Sequence, residues 1–148
     1  MREKLSEEII AKFEQRLELM TEVFELAQRQ HRCAKEGKPE RLDRLVRRRD
    51  HALRRWQQLE DTLSSDLKEA KAGSLDAAQK QRLFELIARS DELVEALKHE
   101  DVLIADTMEG QRAAIEEELK SLRQERETLR AYSRDLPPRP QGGVDRSA

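Results

Sequence analysis

Apolar residues recur every three or four positions along most of the chain, and this spacing predicts α-helices. Between residues 10 and 34 the apolar stripe is widened on one side by Leu19, Val23 and Leu26. A stripe of this width is typical of a helix in a bundle and is wider than a two-stranded coiled coil requires. Its central positions are Ile10, Phe13, Leu17, Met20, Phe24, Ala27, His31 and Ala34.

A short turn at Gly37 and Pro39 separates this first helix from a second. Glycine favours the left-handed conformation that ends a helix, and proline favours the first turn of the next one. The predicted N-cap of the first helix is Ser6. The second stripe consists of Leu42, Leu45, Arg49, Ala52, Trp56, Leu59 and Leu63. We therefore predict an antiparallel hairpin of two helices, at residues 6–36 and 39–71.

A third apolar stripe follows Ser74, its predicted N-cap. The stripe consists of Leu83, Leu86, Leu93, Leu97, Ile104, Met108, Ile115, Leu119, Leu122 and Leu129. Polar residues take stripe positions at Ser90, Glu100, Asp101 and Gln111. Gly110 also lies inside it, and a glycine there costs a helix only about 1 kcal/mol. Two alternatives stay open: one helix over residues 75–134, or two over 75–109 and 111–134.

Together these segments predict an all-α fold: an antiparallel hairpin followed by a long C-terminal helical segment, giving an elongated bundle of three to four long helices. We expect a single domain over residues 1–135. Residues 136–148 contain three prolines and few apolar side chains, so we expect a disordered tail there.

Composition favours no particular class of partner. Charged residues make up 41% of the chain, but Lys+Arg 29 against Asp+Glu 31 leave a formal net charge of −2, which does not point to nucleic acid or an acidic membrane. No stretch has the apolar length of a membrane span or of a signal peptide, so we expect a cytoplasmic protein. The single cysteine, Cys33, permits no internal disulfide and is consistent with a reducing compartment.

Catalytic and metal-binding groups have no support in the sequence. His31 and Cys33 are two residues apart, so on a helix they point in different directions and cannot share a metal. His51 and His99 have no nucleophile or carboxylate at a spacing that would form a catalytic group. We expect no enzyme activity, no metal and no cofactor.

Residues 41–55 are strongly basic, with seven arginines against two aspartates. One interpretation is a patch that binds nucleic acid. The favoured interpretation is a solvated helix face, because Asp43/Arg47 and Asp50/Arg54 have the spacing of helical ion pairs. Arg49 falls on the apolar stripe itself, where its stem can pack while its guanidinium seeks a carboxylate.

The four aromatic residues in phase with the stripes, Phe13, Phe24, Trp56 and Phe84, are predicted to pack in the core. The last segment differs: if residues 75–134 form one path, part of its apolar face has no partner within the hairpin, whose arms are only half as long. An uncovered apolar face seeks another helix, from a second copy or from a client protein. The alternative is a fourth helix that folds back onto the bundle.

Three stretches, in this order, resemble the flagellar export chaperones of the FlgN/FliT type. The first is LAQRQHRCAKEGKPERLDRLVRRRDHALRRWQQL at 26–59, a helix, a short turn and a Leu-rich helix with arginine on its stripe. The second is the long amphipathic stretch LIARSDELVEALKHEDVLIADTMEGQRAAIEEELKSLR. The third is ETLRAYSRDLPPRP, where an Ala-Tyr pair closes the last helix, although Ser133 stands where the family often has glycine.

The resemblance implies a cytosolic chaperone for the filament-cap protein or a hook–filament junction protein. Such a chaperone binds the client's C-terminal helical segment, prevents premature assembly and delivers the client to the export gate, which recognises a tyrosine near the chaperone's C-terminus. By position that tyrosine is Tyr132, with Leu129 beside it. Amphipathicity alone nominates the client-binding residues Ile104, Met108, Ile115, Leu119 and Leu122. The rival hypotheses are a structural coiled-coil homodimer or scaffold, and a nucleic-acid-binding or regulatory protein that uses residues 41–55.

Overall fold

The computed structural model describes residues 2–70 and 75–135, with side chains from residue 4 onward. This part of the chain forms three long helices: α1 (Arg2–Glu36), α2 (Pro39–Glu69) and α3 (Ala77–Asp135). The predicted all-α class is confirmed. The predicted disordered tail, residues 136–148, lies outside the described residues.

The chain divides into two compact units, Met1–Met108 and Glu109–Ala148. The first unit contains α1, α2 and the first part of α3. The second unit contains the remainder of α3. The division falls inside the span that the sequence predicts as a single domain.

The start of α1 differs from the prediction. Ser6 is not a cap, because the helix begins at Arg2 and Ser6 is buried inside it. Leu5 and Ile9 both belong to an apolar cluster, and this packing stabilises the first turns of the helix. The predicted stripe begins at Ile10 and therefore leaves these two residues out.

The hairpin turn forms as the sequence predicts. Gly37 has a φ of 65°, in the left-handed region, and its N–H donates to the carbonyl of Ala34 at 3.3 Å. The N–H of Lys38 donates to the carbonyl of Cys33 at 3.2 Å. These two bonds are the Schellman motif, which satisfies carbonyls at the end of α1. Pro39 then begins α2.

A reciprocal capping box begins α3. The N–H of Gln79 donates to Oδ1 of Asp76 at 2.8 Å, and the N–H of Asp76 donates to Oε1 of Gln79 at 3.0 Å. Two backbone donors that a helix start leaves unpaired are thereby satisfied. The cap predicted at Ser74 lies outside the described residues.

The core of the first unit has two apolar clusters, each with residues from all three helices. One joins Leu86 of α3 to the beginning of α1 and the end of α2; its buried members are Ile9, Phe13, Leu63 and Leu86. The other lies toward the hairpin turn, where Leu97 packs against Val23, Leu26, Cys33, Leu45 and Ala52. The first part of α3 therefore runs in the same direction as α1 and antiparallel to α2.

The helical spacing of apolar residues predicted the wrong environment for Phe84. Phe84 is 67% exposed, although the sequence predicts it in the core, whereas Leu86 is 1% exposed. Trp56 is half-buried against the cluster near the turn, and its indole Nε1–H donates to Glu60 at 2.9 Å. The inward stripe of α3 includes Leu86 and Ser90, which are buried, and Leu83, which is half-buried. Phe84 faces away from this stripe.

Gly110 does not end a helix. The sequence leaves open whether this region is one helix or two. The structure has one continuous helix over Ala77–Asp135, so no helix ends at residue 109 or begins at residue 111. A Cβ added at Gly110 would meet nothing within 4 Å in the described part of the chain, so no close packing requires glycine there. None of the described helices is both long and apolar enough to cross a membrane.

Candidate functional site

The part of α3 that lies in the second unit is exposed to solvent along almost its whole length. Every residue from 112 to 135 is exposed. Most of the stability of helices in proteins comes from packing of an apolar face. Within the described residues, this segment has no such packing.

Four exposed apolar side chains lie along this segment, and we call them the distal face: Ile115, Leu119, Leu122 and Leu129. Each is about half exposed or more. Ile115, Leu122 and Leu129 are seven residues apart, which places them on nearly one side of a helix with a drift of about 20° per step. Leu119 lies one turn from Ile115 and widens the stripe.

Charged residues border the distal face. Nε of Arg112 lies 3.1 Å from Oε1 of Glu116, one turn away on the same helix. Charges on the remaining sides of a helix keep it soluble while leaving the apolar stripe uncovered. The distal face is thus amphipathic and narrow, which is the shape that one further helix can cover.

Tyr132 continues the segment beyond Leu129. The two side chains are three residues apart, so they are neighbours on the helix surface, and they are 65% and 67% exposed. A tyrosine has an apolar ring and a polar tip, and such residues are enriched at interfaces. This pair therefore forms a compact exposed surface near the end of α3.

The other two nominated client-binding residues lie in the first unit. Met108 is half exposed, as a binding residue requires. Ile104 is 7% exposed, so it cannot present its side chain to a partner in this structure. Ile104 therefore faces inward in this structure, and its place among the client-binding residues stays a prediction.

A polar junction joins the three helices of the first unit. Arg49 of α2 contacts Gln30 of α1 and Asp101 of α3, with Nη1 3.1 Å from Oε1 of Gln30 and 2.7 Å from Oδ1 of Asp101. Beside it, Nδ1 of His31 lies 3.4 Å from Oε2 of Glu100. Two of the polar residues that interrupt the predicted stripe of α3, Glu100 and Asp101, therefore lie against charged or polar groups of α1 and α2.

Of the helical ion pairs predicted in the basic segment, Asp43 and Arg47 meet at 3.0 Å. The structure adds a feature that the sequence did not indicate: the turn places Arg29 and Arg32 of α1 beside the arginines of α2, around one pocket. The signal was present in the short turn, because a hairpin brings the last turns of one helix next to the first turns of the next. Within the described ranges, no three His, Cys, Asp or Glu side chains form a group that could hold a metal ion.

Comparison with known proteins gives one family. The family model described as FlgN protein matches residues 1–136. No curated protein matches, and no solved structure matches.

Proposed function

Because the chain belongs to the FlgN family, whose members are flagellar export chaperones, we propose that it binds the C-terminal helical segment of a filament-cap or hook–filament junction protein. The chaperone keeps that segment from assembling too early and delivers it to the export gate. It acts in the cytoplasm, by binding and without catalysis.

One observation supports client binding above the others: the distal face is exposed, together with every other residue from 112 to 135. A client's amphipathic segment would lay its apolar side on Ile115, Leu119 and Leu122 and become helical as it binds. Burying a leucine side chain contributes about 1.5–3 kcal/mol. Ordering the client segment costs several kcal/mol, so the complex stays weak enough to release its client at the gate.

Gate docking is assigned to the pair Leu129 and Tyr132. Both side chains are about two-thirds exposed, and they lie on the same helix as the client-binding residues. The chaperone can then hold a client on one stretch of α3 and present the next stretch to the gate. Tyr132 supplies the aromatic anchor, and Leu129 extends the buried area.

The test uses synthetic peptides with the C-terminal sequences of the source organism's filament-cap and hook–filament junction proteins. We expect one of them to gain helicity by circular dichroism when mixed with the chaperone, and to elute with it on a sizing column. If no peptide gains helicity or forms a complex, client binding by this chain is excluded.

A homodimer is the second candidate, because apolar residues spaced seven apart also suit a two-stranded coiled coil. In that case the distal face of one copy covers that of another. Light scattering separates the two functions: a tight dimer that a client peptide cannot dissociate supports the scaffold, and a monomer that binds the peptide supports the chaperone.

A further inference from the structure

The hairpin turn builds an open pocket of about 450 Å³ between the end of α1 and the beginning of α2. Five arginines line it: Arg29, Arg32, Arg41, Arg44 and Arg48. Its floor is apolar, because Cys33 and Leu45 are each only 9% exposed. We call this site the arginine pocket.

Within the described residues, the lining of the arginine pocket carries more positive than negative charge. None of its five arginines has a carboxylate within 4.0 Å in the described ranges, whereas the neighbouring Arg47 and Arg49 pair with Asp43 and Asp101. The pocket has one acidic residue, Glu36, and it is already held by Lys38 at 3.0 Å.

The pKa of Glu36 is lowered mainly by Lys38, and two arginines of the pocket add a smaller effect in the same direction. The hydrogen bond from Lys38 and the charge of Lys38, followed by the charges of Arg41 and Arg32, hold the pKa of this carboxyl below its ordinary value. Anions are therefore favoured at this place, and an incoming carboxylate gains from several guanidinium groups at once. Five like charges around one opening also repel one another, and an acidic ligand relieves that repulsion.

We propose that the arginine pocket binds an acidic segment of a partner protein, in which carboxylates flank an apolar side chain. A guanidinium group can form a bidentate pair with a carboxylate, so arginine suits this ligand better than lysine would. The apolar side chain would rest on Cys33 and Leu45, between the charged contacts. This site is separate from the distal face and does not depend on the function proposed for it.

Nucleic acid fits the pocket less well. Its recognition needs basic residues that follow a line of phosphates, and single strands also need aromatic rings for stacking. Here the arginines surround one opening, and its lining contains no aromatic residue.

The experiment measures binding of the full-length protein to a fluorescein-labelled peptide with a central leucine flanked by glutamates, by fluorescence anisotropy. The double variant Arg41→Glu, Arg44→Glu should weaken binding by about tenfold or more. The matched control Arg54→Glu, Arg126→Glu makes the same change in net charge outside the pocket and should change it by less than about twofold. Equal weakening by both variants would show non-specific attraction and overturn the proposal.

Two further probes identify the ligand chemistry. The same peptide with glutamines in place of glutamates should not bind, and a single-stranded oligonucleotide of equal charge should bind more weakly than the acidic peptide. An oligonucleotide that binds more tightly would assign the pocket to nucleic acid instead. The single cysteine locates the site: bound acidic peptide should slow alkylation of Cys33, and an unchanged rate at saturation would place the peptide elsewhere and overturn the assignment.

Discussion

Arg49 of α2 and Asp101 of α3 form a bidentate ion pair. Nη1 of Arg49 lies 2.7 Å from Oδ1 of Asp101, and Nη2 donates to Oδ2 at 2.9 Å. Because Nη1 also contacts Gln30 of α1, one guanidinium fixes the three helices of the first unit at the same level. The aliphatic stem of Arg49 meanwhile occupies a position that the apolar stripe would otherwise give to a hydrophobic residue.

Removing this guanidinium should destabilise the first unit. The side chain of Arg49 is only 16% exposed, so Arg49→Ala loses packing as well as the ion pair, and we expect a loss of about 1–3 kcal/mol in the free energy of unfolding. Arg54→Ala, at an exposed position on the same helix, should change it by less than about 0.5 kcal/mol. Urea unfolding measures both. Equal effects would show that the ion pair contributes nothing of its own.

The opposite placements of Phe84 and Leu86 give a second prediction. Leu86→Ala should cost about 2–5 kcal/mol, because it leaves a cavity in the cluster with Ile9 and Phe13. Phe84→Ala should cost less than about 1 kcal/mol, since most of the ring is already in water. Thermal unfolding of the two variants checks this. A larger loss for Phe84→Ala would mean that the sequence phase, and not the structure, placed this ring correctly.

Gly110→Ala should stabilise α3. The position is helical, and an added Cβ meets no neighbour within 4 Å in the part of the chain described. Alanine is favoured over glycine inside a helix by about 0.5–1 kcal/mol. Slower amide exchange at the residues around 110 would show the effect. If the variant instead exchanges faster, the helix is not continuous there in solution.

Two substitutions on the distal face should separate client binding from folding. Leu119→Ser with Leu122→Ser should weaken client-peptide binding by more than about tenfold, because two buried leucines are lost from the interface. The unfolding of the first unit should be unchanged, since both side chains are exposed in the free protein. Calorimetric titration gives the affinity.

The matched control for the leucine pair is Lys120→Ser with Arg123→Ser. These positions alternate with the leucines in sequence and are also exposed, but they are charged. We expect the control to retain client binding within about threefold, as is usual for residues outside a buried hot spot. If it weakens binding as much as the leucine variant does, the apolar stripe is not the binding surface.

Tyr132 is expected to act in gate docking only. Tyr132→Ala should reduce affinity for the cytoplasmic domain of the export gate by about tenfold or more, as is common for a central aromatic anchor. Client-peptide binding and thermal stability should stay unchanged, because the ring is 65% exposed. Tyr132→Phe distinguishes the contribution of the ring from that of the hydroxyl. Unchanged gate affinity of the alanine variant would remove Tyr132 from the docking site.

Local rules were sufficient to predict the hairpin. Gly37 and Pro39 fix the turn through backbone conformations that few other residues favour, so the ends of α1 and α2 at this turn could be read directly. The carboxylate partner of Arg49 was likewise foreseen, because a guanidinium on an apolar stripe must be paired.

Other features depend on packing between distant segments, which one-dimensional spacing does not contain. The position of Ser6 inside α1 depends on the cluster that Leu5 and Ile9 join. The exposure of Phe84 depends on which side of α3 packs against the hairpin. A small rotation of α3 about its axis changes which apolar residues face the hairpin. Of the two alternatives for the last segment, the exposed apolar residues of the distal face favour the one in which the hairpin leaves them uncovered. The burial of Ile104 could not be predicted, because the inward side of α3 is set by its neighbours.

The uniform exposure of residues 112–135 has a consequence for the lifetime of the protein. Basic residues recur along this stretch, so each transient opening of the helix offers a cleavage site to a trypsin-like protease. A bound client would stabilise the helix against local unfolding and would also cover these cleavage sites. We therefore expect the chaperone without a client to be clipped in this stretch and the loaded chaperone to survive, which would couple the abundance of the chaperone to the supply of its client.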